Sequence, residues 1–153
     1  MKFEKFAKNS GIYGQIVELE AGDKWLVCNG IGMMVPNGLT NLLGIGTAPE
    51  KVQRVVESIT EVDTDDKVVL TSAYLKADGK PTEIVRIFGD EFGYGVGIKN
   101  KDFGLIERSD VNMCHVEIVL EDGEELRCLV ILDRNDEPVG FIAGIDPVVL
   151  ENN

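Results

Sequence analysis

One histidine, His115, and three scattered cysteines, Cys28, Cys114 and Cys128, leave little from which metal or thiol chemistry could be built. There is no CxxC pair and no HxxxH, so a zinc site is excluded on counting. Three cysteines are too few and too odd a number for a secreted disulfide framework, and they read as reduced, buried thiols of a cytosolic protein. Basic residues are also scarce, since 15 Lys and Arg stand against 27 Asp and Glu, for a formal net charge of -12. That balance opposes binding to a phosphate backbone and provides no basic patch for lipid, so neither nucleic acid nor membrane is an expected partner. No apolar run approaches the length of a membrane span, and Met1 to Lys8 lacks the unbroken apolar segment of a signal peptide. The expectation is a soluble, cytoplasmic protein.

What the chain has in abundance is strand-forming sequence, clearest between Cys114 and Ile145. Three runs rich in β-branched residues are separated by Glu121-Asp122-Gly123 and by Asp133 to Pro138. If Gly123 takes the positive φ of a three-residue loop, Ile118 faces Leu126, Val116 faces Cys128 and Cys114 faces Val130. All three pairs are apolar, whereas a slip of one residue would set Ile118 against Arg127, so burial selects the first register. The second and third of these strands are apolar on both faces, which predicts a position in the middle of a covered sheet.

Taken in order, Phe3 and Phe6 are spaced as one side of a short helix ending before Asn9. Ile12 to Leu19 and Lys24 to Cys28 form a hairpin around Ala21-Gly22-Asp23, Gly30-Ile31-Gly32 breaks it, and Met33 to Val35 form a short strand before a turn at Pro36-Asn37-Gly38. An amphipathic helix follows over 48-59, with Val52, Val55, Val56 and Ile59 on one stripe and Thr47 and Glu50 placed as a capping box. Strands return at Val68 to Lys76 and Thr82 to Phe88 around Asp78-Gly79, then at Phe92 to Ile98 and Phe103 to Glu107. Gly93, Gly95 and Gly97 share one face of their strand, which predicts the close approach of something bulky: Trp25, another sheet or a neighbouring subunit. The pattern amounts to about nine or ten short strands, a mainly β (α+β) antiparallel sandwich or barrel with one amphipathic helix. The chain reads as a single domain, 1-153, with a shift in composition at the acidic connector 61-66.

No catalytic, cofactor-binding or metal-binding residue is assigned from this pattern. Cys114 points to the opposite face of its strand from His115 and cannot be its nucleophile partner, which leaves His115 as a solvated sheet-face residue beside Glu117. Asp63, Asp65 and Asp66, and the alternating Asp133, Asn135 and Glu137, could suggest calcium. Neither loop is an EF-hand, and Pro138 stands where its glycine should be, so both read as solvated turns. Gly44-Ile45-Gly46-Thr47 precedes the helix but has no basic residue before Lys51, and it reads as a chain turn rather than an anion loop. Glu121, Asp122, Glu124 and Glu125 bunch at one hairpin tip as a solvated face.

The run Gly22-Asp23-Lys24-Trp25-Leu26-Val27-Cys28, with the general character of the chain, resembles small acidic proteins of prophage structural operons in Gram-positive bacteria. The resemblance implies a structural or assembly role, in cytoplasm or virion, and assigns no functional residue. A non-enzymatic protein acting through protein contacts, with self-association through an amino-terminal arm bearing Phe3 and Phe6 and the apolar tail Val148-Val149-Leu150, is the expectation. The alternative is a small ligand-binding or enzymatic β domain whose pocket lies near Trp25, Gly30 to Gly32 and Tyr94.

Overall fold

The computed structural model describes residues 1–36, 46–77, 83–91 and 93–147. In chain order the elements are helix α1 (Phe3–Ser10), a 3-10 turn (Gly11–Tyr13), β1 (Gln15–Glu18), β2 (Lys24–Cys28), β3 (Ile31–Met34), β4 (Gly46–Thr47), α2 (Glu50–Thr60), β5 (Val69–Ala77), β6 (Glu83–Asp90), β7 (Gly93–Lys99), α3 (Asn100–Phe103), β8 (Met113–Val119), β9 (Glu125–Leu132) and β10 (Pro138–Gly144). Seven strands form one sheet in the order β4-β1-β2-β3-β10-β9-β8, and β5-β6-β7 form a second. Pairing is antiparallel apart from the two-residue contact of β4 with β1. This is the mainly β, α+β sandwich that the strand pattern predicts. No helix among the described residues is long and apolar enough to cross a membrane.

The large sheet separates two cores, and alternation along its central strands supplies both. From β9, Cys128, Val130 and Leu132 enter one core, which is closed by Val55, Val56 and Ile59 of α2. Leu129 and Ile131 enter the other, which is closed by Phe88, Val96 and Ile98 of the small sheet and by Phe6 of α1. A strand so placed can carry no polar side chain inward on either face, which is why β9 is a continuous apolar run from Cys128 to Leu132. The β8–β9 register is the predicted one, with Cys114 opposite Val130, Val116 opposite Cys128 and Ile118 opposite Leu126. Gly123 sits at φ +83°, and Leu120 N–H donates to Glu124 O at 2.8 Å, which closes the three-residue loop.

Several boundaries differ from the pattern, each for a local reason. Thr47 does not cap α2; it belongs to β4, while Pro49 occupies the cap position and no side chain bonds the first turn. Pairing with Ile16 claims the Thr47 backbone before a helix can use it. Cys28-Asn29-Gly30-Ile31 is a tight hairpin rather than a break: Asn29 (φ +52°) and Gly30 (φ +77°) are both left-handed, as a two-residue turn between right-twisted strands requires. Residues 103–107 form no strand, because the chain enters the single turn α3 and then leaves it in a loop. α1 runs through Ser10, whose hydroxyl donates to Phe6 O at 2.8 Å. The turns expected at Pro36-Asn37-Gly38 and Asp78-Gly79 lie, in whole or in part, outside the described residues.

Part of the glycine stripe of β7, Gly95 and Gly97, meets the large sheet, one of the three candidates predicted, whereas Gly93 is approached by nothing. Gly97 N–H donates to Ile145 O and Ile145 N–H to Gly97 O, both at 2.8 Å, so the end of β10 pairs with β7 and stitches the sheets together. A Cβ on Gly95 would lie 2.9 Å from His115 Nδ1, and one on Gly97 2.7 Å from Val85 Cγ1. From the other side, a Cβ on Gly144 would stand 2.6 Å from Gly97 O. The side chains of Val96 and Ile98 crowd the same point, so the new methyl would press on both a backbone oxygen and a buried apolar pair. Gly144→Ala is expected to lower the unfolding free energy by about 1–3 kcal/mol in urea denaturation, the usual range for overpacking a tight interior. An unchanged midpoint and slope would show that the sheets can separate there without cost.

Candidate functional site

His115 lies on the β8 face that turns toward β7, so it is half-buried under Gly95 rather than solvated, and its Nδ1 has no hydrogen-bond partner. Beside it, Arg127 donates to Gly95 O at 2.6 Å, pairs with Glu117 and reaches Asp146 at 3.5 Å. That cluster links β9, β8, β7 and the end of β10, and its geometry is that of a brace between sheets. Cys114 faces the other core, as strand alternation requires. All three cysteines are free and buried, and burial pushes the Cys114 thiol up to about 11 and that of Cys128 up to about 12. Thiols held protonated in this way are poor nucleophiles.

The acidic loops are put to structural use. Asp133 accepts from the backbone N–H of Asn135 (2.8 Å) and of Glu137 (3.0 Å), so the alternating carboxylates form a closed turn. Asp136 accepts from Asn112 Nδ2 (2.6 Å) and Lys67 Nζ (2.5 Å), and those two bonds, the amide first, hold its carboxyl below the ordinary value. The Glu121 to Glu124 tip docks on α2: Lys51 Nζ reaches Glu124 at 2.6 Å and Asp122 at 3.3 Å, and Arg54 pairs with Glu121. Bonds to Glu124 and Asp122 raise the affinity of Lys51 for its proton. The solvated tip expected from sequence is therefore partly neutralised by a basic stripe on the helix. Among the described residues, no group of three His, Cys, Asp or Glu side chains could hold a metal ion.

The predicted pocket near Trp25, Gly30 to Gly32 and Tyr94 is only partly assembled. Trp25 is fully buried in the α2-side core and stacks on Phe141 with ring centroids 6.1 Å apart. Phe141 lies over the bare face of Gly32, so Trp25 and Gly32 do share a neighbourhood, though one that is filled. Tyr94 is elsewhere, on the small sheet and 46% exposed, which corrects that part of the expectation. The opening beside Trp25 lies at the other end of its strand: a cavity of about 660 Å³ between the β1–β2 turn, the end of α2 and the β9–β10 turn. Glu20, Asp23, Glu57, Glu61, Asp133 and Glu137 line it, and among the described residues no Lys or Arg does. Trp25 and Met34 line it as well, and Trp25 Nε1 is buried without an acceptor.

A second feature is apolar. β5 is the outermost strand of the small sheet. The chain just before it still pairs with β8, Val68 N–H donating to Met113 O at 2.9 Å. Beyond that bond Val69 is 59% exposed, Leu70 43% and Tyr74 54%. Val69 and Leu70 border a groove of about 460 Å³ with Phe88, Phe103, Ile106, Val111 and Met113, and Glu107, Arg108 and Asp110 line it too. The amino-terminal segment expected to reach a neighbour is docked on its own chain instead: Phe6 is buried, and the Met1 amino group pairs with Asp110 at 2.8 Å. The tail Val148-Val149-Leu150 lies outside the described residues.

The thiols make the pH dependence of stability checkable. Unfolded cysteine ionises near about pH 8.5, whereas these two ionise near 11 and 12 when folded. Their contribution is thus fully present below the unfolded value and is lost as pH rises toward the folded ones. Wild-type unfolding free energy is expected to fall across that window more steeply than in a Cys114→Ala/Cys128→Ala variant, with both thiols inert to Ellman's reagent until urea unfolds the chain. Equal slopes, or rapid labelling of both native thiols, would contradict the burial. Compared with protein-family models, with curated proteins and with solved structures, the chain matches none.

Proposed function

We propose that this is a non-enzymatic structural or assembly protein, of the phage-derived kind that residues 22–28 resemble, which works through protein–protein contacts and first through a second copy of itself. The observation that carries the reading is the outer edge of β5, which no strand among the described residues pairs, with Val69, Leu70 and Tyr74 exposed beside a largely apolar groove. An unpaired edge offers a row of backbone donors and acceptors, and flanking apolar side chains add the burial that makes strand addition worthwhile. Charge favours a like partner at this place. Residues 69–77 contain no acid in a chain of net charge -12, so the strand itself brings no carboxylate to such a pairing, although Glu107 and Asp110 lie in the adjoining groove beside Arg108. The register break between Leu70 and Tyr74, and Lys76 near the far end, restrict the alignments open to a pair and favour a closed dimer over a growing sheet.

Light scattering of the full chain at low and high salt tests this. A dimer is expected that persists or tightens as salt screens the net charge, and that reverts to monomer in Leu70→Lys and Tyr74→Lys with unchanged circular dichroism. Both positions are exposed, so neither substitution should disturb the core. A wild-type monomer at every concentration would overturn self-association through this edge.

A further inference from the structure

The outer edge of β5 is irregular, and the irregularity specifies how a second copy fits it. Leu70 pairs with Phe88 of β6 and Tyr74 with Arg86, so three residues, Thr71 to Ala73, stand opposite Ile87 alone. Thr71 holds this bulge in shape: its hydroxyl donates to Ile87 O at 2.9 Å and accepts from the Ala73 N–H at 3.2 Å. A bulge bends its strand. Two copies of one bent edge follow each other only where bend meets bend. In a closed pair with its two-fold axis through the sheet, that condition sets the strands antiparallel about Ser72, the midpoint of the bulge.

In that register Tyr74 of one copy falls opposite Leu70 of the other. Residues directly opposed across strands share a face. Leu70 is opposed to Phe88, and Tyr74 to Arg86, whose guanidinium stands 5.5 Å from the centre of the Phe103 ring; Phe88 and Phe103 line the groove. The exposed Tyr74 ring is therefore on the face where the partner's groove opens. Lys76, exposed and on the same face, falls opposite Val68, where the edge ceases to be free because Val68 N–H is bonded to Met113 O. The chain leading into Met113 carries the polar residues of the groove, Glu107, Arg108 and Asp110. Asp110 is occupied by the Met1 amino group and by the Glu107 N–H, each at 2.8 Å. The Glu107 carboxylate accepts only from the Ser109 hydroxyl, at 3.5 Å, and among the described residues neither Glu107 nor Lys76 is in an ion pair. We propose that two copies meet in one antiparallel register with the two-fold axis at Ser72, in which each Tyr74 enters the other copy's groove beside Leu70 and each Lys76 pairs with the partner's Glu107. The register rests on the strand addition proposed above and names the contacts that make it specific.

Analytical ultracentrifugation of the full chain would compare wild type with Lys76→Glu, with Glu107→Lys and with an equimolar mixture of the two variants. Either variant alone sets like charges together at both symmetric contacts, so its dimer should be about tenfold weaker than wild type. The mixture restores opposite charges at both contacts and should pair as wild type does. Net charge does not produce this pattern: Glu107→Lys reduces the excess of acid, which by itself would tighten the dimer, and Glu4→Lys on α1 makes the same change and should not weaken it. Ser72→Cys should cross-link to its own copy under mild oxidation, because opposed residues of an antiparallel pair lie within disulfide reach. The cross-link should disappear when Leu70→Lys is added, and the three native thiols are buried. Residues 4, 70, 72, 76 and 107 are exposed, so circular dichroism should be unchanged throughout. The register is overturned, with strand addition left standing, if the mixture pairs no better than either variant alone, or if Ser72→Cys fails to cross-link in a dimer that Leu70→Lys still disrupts. A wild-type monomer would overturn strand addition and the register together.

Discussion

Two hydrogen bonds between Gly97 and Ile145 hold the structure to its shape, and almost everything else about the small sheet follows from them. They bring the backbones of β7 and the end of β10 together where Gly97 and Gly144 lack side chains, while Gly95 leaves room for His115 of β8. Glycine in a strand costs conformational entropy and packs nothing, so its use on both sides of this crossing indicates that close approach is worth more there than burial. Once β7 is drawn down, it covers His115 and brings Gly95 O within reach of Arg127, whose remaining bonds go to Glu117 and Asp146. The apolar face carrying Phe88, Val96 and Ile98 then closes one core against the large sheet.

The large sheet is apolar on both sides because each side has its own cover. On the α2 side, helix and hairpin tip are joined by ion pairs at their exposed ends, which fixes the helix over the sheet at that end. At the other end of the helix no comparable pairing occurs, and the layer opens into the cavity lined by Trp25. Excess negative charge is concentrated at that opening, while the β5 edge on the opposite layer is free of it. The molecule thus presents two surfaces of different chemistry, one apolar and the other acidic.

How much of this could be read from sequence depended on whether the determining residues were neighbours. The β8–β9 hairpin was legible to the residue, since apolar pairing and Gly123 act within twenty positions of each other. The stripe on α2 was legible for the same reason. The start of that helix was not, because Thr47 is claimed by pairing with β1, some thirty residues away. Asn29-Gly30 is a two-residue hairpin signal, but it overlaps the run Gly30-Ile31-Gly32, whose two glycines read as a break. The glycine stripe announced a close approach without naming the partner, which is set by the strand order of another sheet. The cavity was only half legible: Trp25 stood out by its rarity, but its acidic companions come from turns and a helix end that only the fold brings together. Tyr94 stood out equally and lies on the other sheet.

Amide hydrogen exchange at Gly97 and Ile145 tests most directly whether the junction governs the fold. If the two sheets form one cooperative unit through these bonds, both amides should exchange only through global unfolding, at the same free energy as the central amides of β9. Exchange of Gly97 and Ile145 at a much lower free energy, with β9 still protected, would show that the small sheet opens independently and that the junction is a contact rather than the constraint on which the structure depends.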